Sequence, residues 1–284
     1  MIGEITLEAL CNQYGIDSSK VIRNNQNVLD FGEYLEIKKV LDYLVKELGI
    51  SAKNIEKCPS ILYLNVNAIK YNYEFLRCHK ININNVETCL HILSTNPQEL
   101  QKTYSYVLNN YGEKYLNSIT SILSITVGRI IQIENLFNDC DKSVILSASI
   151  SRRTIDEIKE IIKVCKENNI KLAGSTFLKS AKQLQNNIDY VKNNYGVEYL
   201  TPLIVCKNLK QLQEIMPYLK EKGVLEVLIN GATILTLKLD EVKDREEFIL
   251  SIGETITTNG KFNSIFRLSR KNYQIKKEKY KVIK

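Results

Sequence analysis

The chain has 284 residues, a formal charge of +7, 44% hydrophobic residues and 25% charged residues, the proportions of a soluble globular protein. With only 12 glycines and 4 prolines, it lacks the turn residues of a β-sandwich or barrel, and helices are favoured. No run of residues approaches the ~18 consecutive apolar positions of a membrane-spanning helix.

Residues 1–10 include Glu4 and Glu8 and no basic stretch, so they read as neither a secretory signal nor an Arg-rich transit peptide. Residues 1–27 are expected to cap a longer array. The seven cysteines (Cys11, Cys58, Cys78, Cys89, Cys140, Cys165, Cys206) are scattered and contain no Cys-x-x-Cys, as expected of unpaired thiols in a reducing compartment. That places the protein in the cytoplasm, or in an organelle matrix if a leader has been removed.

From residue 28 onward a short apolar pair recurs: Val28-Leu29, Ile61-Leu62, Ile92-Leu93, Ile122-Leu123, Ile145-Leu146, Phe177-Leu178, Ile204-Val205, Ile234-Leu235 and Ile265-Phe266. The first members lie 33, 31, 30, 23, 32, 27, 30 and 31 residues apart. Polar residues and then a helical pattern follow several of them. Asn96 before Pro97, and Ser151 or Thr154, are expected N-caps, because their side-chain oxygens accept from first-turn amides. Apolar residues three and four apart mark helices through Ile155, Ile158, Ile161, Ile162 and Cys165, and through Leu212, Ile215, Met216 and Leu219. Gly49, Gly112, Gly196, Gly223 and Gly253 are placed to close such helices in the left-handed conformation. Shorter segments, such as those beginning at Glu113 and Val224, lead to the next pair.

A unit of about 30 residues, with a long helix, a Gly turn and a short second helix, cannot bury its apolar stripe alone. The expected architecture is therefore an all-α solenoid of helix-turn-helix repeats over residues 28–260. The short interval from Ile122 to Ile145 reads as a truncated or merged repeat turning at residues 137–140.

The basic excess forms one block. Residues 261–284 hold nine basic residues against Glu278, whereas residues 1–260 hold 30 basic and 31 acidic residues. Phe262, Phe266, Tyr273 and Tyr280 are interleaved with these cations, the composition of a face that binds a polyanion and stacks bases. Arg267, Arg270, Lys271, Lys276 and Lys277 are the candidate phosphate contacts and Tyr273 the candidate stacking ring. The competing reading is a solvated tail. Within the array, Arg152 and Arg153 at a helix start suit a phosphate, unless they pair with Asp156 and Glu157. Lys179 and Lys207 are further candidates.

No Gly-rich phosphate loop, Gly-x-Ser-x-Gly or His-Glu-x-x-His motif is present. His79 and His91 stand near Cys78 and Cys89, but without the two-to-four-residue gaps of a structural zinc site. No metal, cofactor or catalytic centre is expected.

The segment Leu48-Gly-Ile-Ser-Ala-Lys-Asn-Ile-Glu-Lys-Cys-Pro-Ser-Ile-Leu62, followed by Tyr73-Glu-Phe-Leu76, resembles a repeat of the mTERF (mitochondrial transcription termination factor) family. A second similar unit runs from Ile234-Leu235 through Val242 to Gly253. The resemblance extends over roughly residues 28–275 and implies a curved α-solenoid whose basic concave face tracks a nucleic-acid backbone, as in factors of organelle transcription, rRNA handling or ribosome assembly. The chain departs from that family in its electrically neutral middle and in showing no transit peptide. The leading expectation is a non-enzymatic nucleic-acid-binding repeat protein of this kind, with residues 261–284 as its basic end. The rivals are a scaffold whose groove binds a protein or peptide, and a regulator whose tail docks on an acidic partner or membrane surface.

Overall fold

Side chains that accept hydrogen bonds from first-turn amides recur along this chain, and they fix where its helices begin. The computed structural model describes residues 6–22, 28–81, 86–118, 120–137, 142–145, 147–151, 153–258 and 260–283. Its longer helices are α1 (Leu7–Gln13), α2 (Phe31–Leu41), α3 (Val66–Cys78), α4 (Pro97–Tyr111), α5 (Val127–Glu134), α6 (Ile155–Glu167), α7 (Ala181–Asn194), α8 (Leu209–Glu221), α9 (Leu239–Ser251) and α10 (Arg270–Ile283). Between them lie the eight-residue helix Val86–Leu93, other short helices, a π-helical segment Asp42–Glu47 and several 3₁₀ segments. The fold is all-α. Among the described residues, β structure amounts to one hairpin, β1 (Thr257–Thr258) with β2 (Lys261–Phe262), and an isolated Thr6–Val28 bridge.

Asn65, Asn96, Thr126, Thr154, Ser180 and Asn208 each cap the following helix by accepting a first-turn amide. Lys238 cannot cap in this way, so Glu241 accepts its backbone N–H instead, at 3.0 Å. Ser269 Oγ accepts from the Asn272 amide at 3.2 Å. From Asn65 to Ser269 these eight positions are 31, 30, 28, 26, 28, 30 and 31 residues apart. The five glycines expected to close helices all have positive φ, from +67° to +112°. At Gly112 (φ +90°) the amide bonds back to Val107 and Leu108 in α4, and a side chain there would be strained.

Three residues before seven of the eight caps sits a buried position: Leu62, Leu93, Leu123, Phe177, Val205, Leu235 and Phe266; before Thr154 that place is taken by the half-buried Ser151. In six of these turns the preceding residue is also apolar and buried, as the recurrent pairs lead one to expect. Three pairs are corrected. Leu178 is 66% exposed, and the buried step is Thr176-Phe177, with Thr176 donating to the Ala173 carbonyl at 2.6 Å. Ile145 is buried as expected, but measured from the Thr154 cap the equivalent step before α6 is Ile150-Ser151, five residues further on. The apparent 23-residue interval therefore separates unlike positions. Leu146 and residues 138–140 of the expected 137–140 turn lie outside the described residues. Val28, 61% exposed, is also not buried as expected.

A second recurrence joins each long helix to the turn that follows it. The seventh residue of α3, α4, α7 and α9 is polar and buried: Asn72, Thr103, Asn187 and Arg245. Asn72 Nδ2 donates to the carbonyls of Leu93 (3.0 Å) and Thr95 (2.6 Å). Thr103 Oγ1 donates to Ile125 O (2.9 Å). Asn187 Nδ2 donates to Val205 and Lys207 (both 2.7 Å), and Arg245 Nη1 to Ile265 (2.8 Å) and Leu268 (2.9 Å). In every case one acceptor is the carbonyl just before the next cap. The chain bends there, the helical ladder has not yet begun, and a buried carbonyl without a donor costs about 1–3 kcal/mol. In α8 the seventh residue is Ile215, and Gln211 Nε2 reaches the equivalent Leu237 carbonyl at 3.3 Å.

The chain divides into two compact units, Met1–Arg152 and Arg153–Lys284, so the division falls inside the stretch expected as one array. The first has a core that includes Leu7, Leu41, Ile69, Leu100 and Ile130. The second has one that includes Val191, Leu212, Ile234, Ile249 and Tyr273. Within each, a tyrosine at the tenth position of one helix donates to a glutamate at the eighth of the next: Tyr106 to Glu134 at 2.7 Å, and Tyr218 to Glu246.

Replacing Asn187 with Ala strands the buried Val205 carbonyl and the partly buried Lys207 carbonyl and leaves a small void. The expected loss is about 2–4 kcal/mol in urea unfolding followed by circular dichroism. Asn194→Ala, at an exposed position on the same helix, is expected to stay within about 0.5 kcal/mol of the parent.

Candidate nucleic-acid interface

The candidate cations occupy two kinds of place in the second unit. Arg153, Lys179 and Lys207 each immediately precede a cap residue, Thr154, Ser180 and Asn208 respectively. They stand at the positive ends of α6, α7 and α8, where a partial positive charge adds to their own. Arg153 is already engaged. Its Nε donates to the Phe177 carbonyl (3.1 Å) and its Nη1 to Glu157 (3.1 Å), so the pairing with Glu157 is realised. Arg152 lies outside the described residues.

Lys179 and Lys207 are half-buried, and both act electrostatically on the Cys206 thiol, which brings the starts of α7 and α8 together. Burial lowers the pKa of Lys207, and burial raises that of Cys206. Lys238, not singled out from the sequence, is itself the cap residue of α9, one position further along than the other three.

The second group lies on and just before α10. Residues 264–267 form a 3₁₀ turn and 270–283 a helix, so the basic block is folded over these residues. Tyr273 is 3% exposed. Its hydroxyl donates to Asp244 Oδ2 (2.8 Å), and the Arg245 guanidinium lies 4.7 Å from its ring centroid. Its ring packs edge-on to Phe248. The face expected to stack on a base is therefore occupied from within, because an aromatic ring buries far more apolar area against α9 than it would in solvent. Arg270 pairs with Glu241, and Lys277 with Asp244. Arg267 and Lys271 are exposed and Lys276 is half-exposed. Among the described residues, none of these three has an acidic partner within ion-pair distance.

A further basic–aromatic cluster is not apparent in the sequence. Lys222 Nζ and Lys243 Nζ lie 5.4 and 5.7 Å from the Tyr218 ring, and Lys220 Nζ lies 5.5 Å from that of Tyr195. The three lysines are exposed, and Lys222 also pairs with Glu246 at 2.8 Å. They come from α8, the turn after it and α9, so no run of charge announces them.

No family model matches the chain, and no curated protein is significantly similar to it.

Cys11, Cys58, Cys78, Cys165 and Cys206 are free thiols; Cys140 and the Cys89 side chain lie outside the described residues. Burial pushes Cys11 up to about 11 and Cys165 up to about 12, away from the thiolate form that reacts or binds metal. His79 Nδ1 lies 2.8 Å from the Phe75 carbonyl, with its ring against Phe75 and Tyr104. His91 Nδ1 lies 3.4 Å from Cys58 Sγ. Among the described residues no three His, Cys, Asp or Glu side chains gather to hold a metal, and no helix is long and apolar enough to cross a membrane.

The ties between α9 and α10 carry a pH signature. The Arg270 bond holds Glu241 below its ordinary pKa. At Asp244 burial works upward, but the bonds from Lys277 and Tyr273 outweigh it and the pKa falls. Both carboxylates are depressed in the folded state, so their stabilisation is complete above about pH 5 and lost as pH falls through about 4 and below. Amide hydrogen exchange of residues 270–283, corrected for intrinsic rates, is expected to speed up between pH 6 and pH 3.5 more than that of α7. Equal acceleration of the two helices would contradict this.

Proposed function

We propose that the chain is an mTERF-like helical-repeat protein that binds nucleic acid without catalysing a reaction. Its recurrent cap-to-cap units stack as a curved α-solenoid, and its role lies in transcription or in RNA or ribosome handling. The observation that carries this reading is the placement of cations at successive helix starts, Lys179, Lys207 and Lys238, together with Arg267, Lys271 and Lys276, which have no acidic partner among the described residues. Helix N-termini and lysines present fixed positive charge to a phosphodiester backbone, and such contacts position a protein without reading sequence. Lys220, Lys222 and Lys243 around Tyr195 and Tyr218 add a surface of the kind that single strands use. Tyr273, Arg270 and Lys277 serve the packing of α10 on this reading and contact nucleic acid at most through their neighbours. A protein-binding scaffold is the second reading, favoured by a groove of about 480 Å3 beside α2, lined by Leu29, Ile37 and Leu62 together with Glu33, Glu36 and Asn65.

Fluorescence anisotropy with labelled single- and double-stranded DNA and RNA, titrated over salt, tests the proposal. Changing Arg267, Lys271 and Lys276 to Gln is expected to weaken binding and to lower the log–log salt slope by roughly one unit per lost phosphate contact. Tyr273→Phe should leave affinity within twofold. Absence of binding to every probe at ~50 mM salt, where phosphate contacts are strongest, overturns the proposal in favour of the scaffold.

A further inference from the structure

In the first unit, a pocket of about 350 Å3 opens at the turns that precede α4 and α5. Five hydroxyl side chains, one imidazole and one isoleucine line it, and no charged residue is among them. It is built from corresponding places in two turns. Ser94 and Ser124 stand two residues before the caps Asn96 and Thr126, and His91 and Ser121 five residues before them. The pocket is thus a product of the same recurrence that spaces the helices. Its volume falls near the lower end of small-ligand pockets, about 300–1,000 Å3.

The hydrogen bonds of this lining define what can occupy it. Ser94 Oγ donates to the His91 carbonyl (2.8 Å), Thr95 Oγ1 to the same carbonyl (3.1 Å), and Ser124 Oγ to that of Ser121 (2.7 Å). A hydroxyl has one proton, so these three have only lone pairs left for an occupant. An anion therefore gains nothing from them and finds no lysine or arginine in the lining. First-turn amides beside the pocket are taken as well: Asn96 Oδ1 accepts from Gln98 and Glu99, and Thr126 Oγ1 from Arg129. A cation finds no carboxylate in the lining, and the starts of α4 and α5 set partial positive charge next to it. What remains is an uncharged group that donates hydrogen bonds. The His91 ring and the Ile125 side chain offer such a group contact with a planar face.

We propose that this pocket takes an unpaired nucleobase bearing an exocyclic amino group, cytosine being the simplest case. The inference rests on the nucleic-acid reading above, since within a polyanionic strand the base is the part that is uncharged, planar and rich in N–H donors. It goes beyond that reading by giving the chain a base preference, which phosphate contacts do not supply. Cytosine and uracil isolate the chemistry. They match in size and differ at C4, where cytosine carries an amino donor and uracil an oxygen acceptor. Facing the lone pairs of Ser94, Thr95 and Ser124, the donor is attracted and the oxygen repelled.

Fluorescence anisotropy of the full chain with labelled oligo(C) and oligo(U) RNA of equal length, at neutral pH, tests it beside NMR titrations with free cytidine and uridine. Oligo(C) is expected to bind about fivefold more tightly than oligo(U), the effect of one or two hydrogen bonds. The salt slopes of the two should be equal, because the phosphates are equal in number. The double variant Ser94→Ala, Ser124→Ala, at half-buried positions, is expected to lose the preference and keep the slope. Thr95 still bonds the His91 carbonyl in that variant, and circular dichroism confirms that it folds. Ser105→Ala, at an exposed position on α4, should keep the preference. Cytidine, but not uridine, is expected to shift the amide signals of residues 94–95 and 121–125. Equal affinity for the two oligonucleotides, or a preference that survives in the double variant, overturns the proposal. Absence of binding to any strand overturns the nucleic-acid reading instead, and the nucleosides then decide the pocket. Cytidine shifts confined to these residues uphold it, whereas no shift, or equal shifts from both nucleosides, overturns it.

Discussion

A buried polar side chain on the inner face of a helix, bonded to carbonyls of the next turn, sets how one element of this protein meets the next. Hydrophobic contact between helices is tolerant of small slips, because leucine and isoleucine pack nearly as well a fraction of a turn away. A hydrogen bond is not tolerant in that way. Asn72 and Asn187 each hold two carbonyls, one buried and one partly buried, and sliding either helix by one residue would leave them without these donors. The apolar residues around them, Ile69 and Leu76 in one case and Leu184 and Val191 in the other, supply the bulk of the burial. The amides supply the register.

That register dictates the regular placement of helix starts. The carbonyl that each polar residue holds lies immediately before a cap, so fixing the carbonyl fixes the cap and the first turn beyond it. In the second unit one of the residues whose carbonyl is held in this way is Lys207, and the residue before the Ser180 cap is Lys179. The Lys207 backbone is thereby fixed at a helix N-terminus, while burial makes the charge on its side chain harder to maintain. In α9 the polar residue is itself cationic. Arg245 bonds the turn before α10 and lies against the Tyr273 ring, so the basic helix is anchored by the same device that spaces the others.

The period of about 30 residues is legible in the sequence because isoleucine–leucine pairs and glycines mark it. Two units are misaligned by that criterion, because apolarity rather than distance to the cap defines the pair. Thr176 and Ser151 occupy steps where an apolar residue is sought, and Thr176 is admitted because its hydroxyl finds a carbonyl. The polar bonds themselves leave a signal that apolar periodicity overlooks: Ile69-Asn72-Leu76, Leu100-Thr103-Val107 and Leu184-Asn187-Val191 place one polar residue at identical spacing on an apolar stripe. At the candidate interface, the run of cations from Arg267 to Lys277 is visible in one dimension, but the carboxylates that take up part of it are not. Glu241 and Asp244 lie about a full unit upstream, and only the packing of α10 on α9 brings them to Arg270 and Lys277. Lys220, Lys222 and Lys243 are invisible for the same reason, since two helices and a turn share them.

The side-chain amide protons of Asn72 and Asn187 report most directly on this register. In a nitrogen-edited NMR exchange experiment at pH 7, their Nδ2 protons are expected to exchange at least tenfold more slowly than those of Asn194, an exposed amide on α7 that also bonds a carbonyl, at Tyr190. Slow exchange at Asn72 and Asn187 with fast exchange at Asn194 is what buried, doubly bonded amides require. Rates at all three positions indistinguishable from free asparagine would show that these side chains do not hold the turns, and that the helices take their register from apolar packing alone.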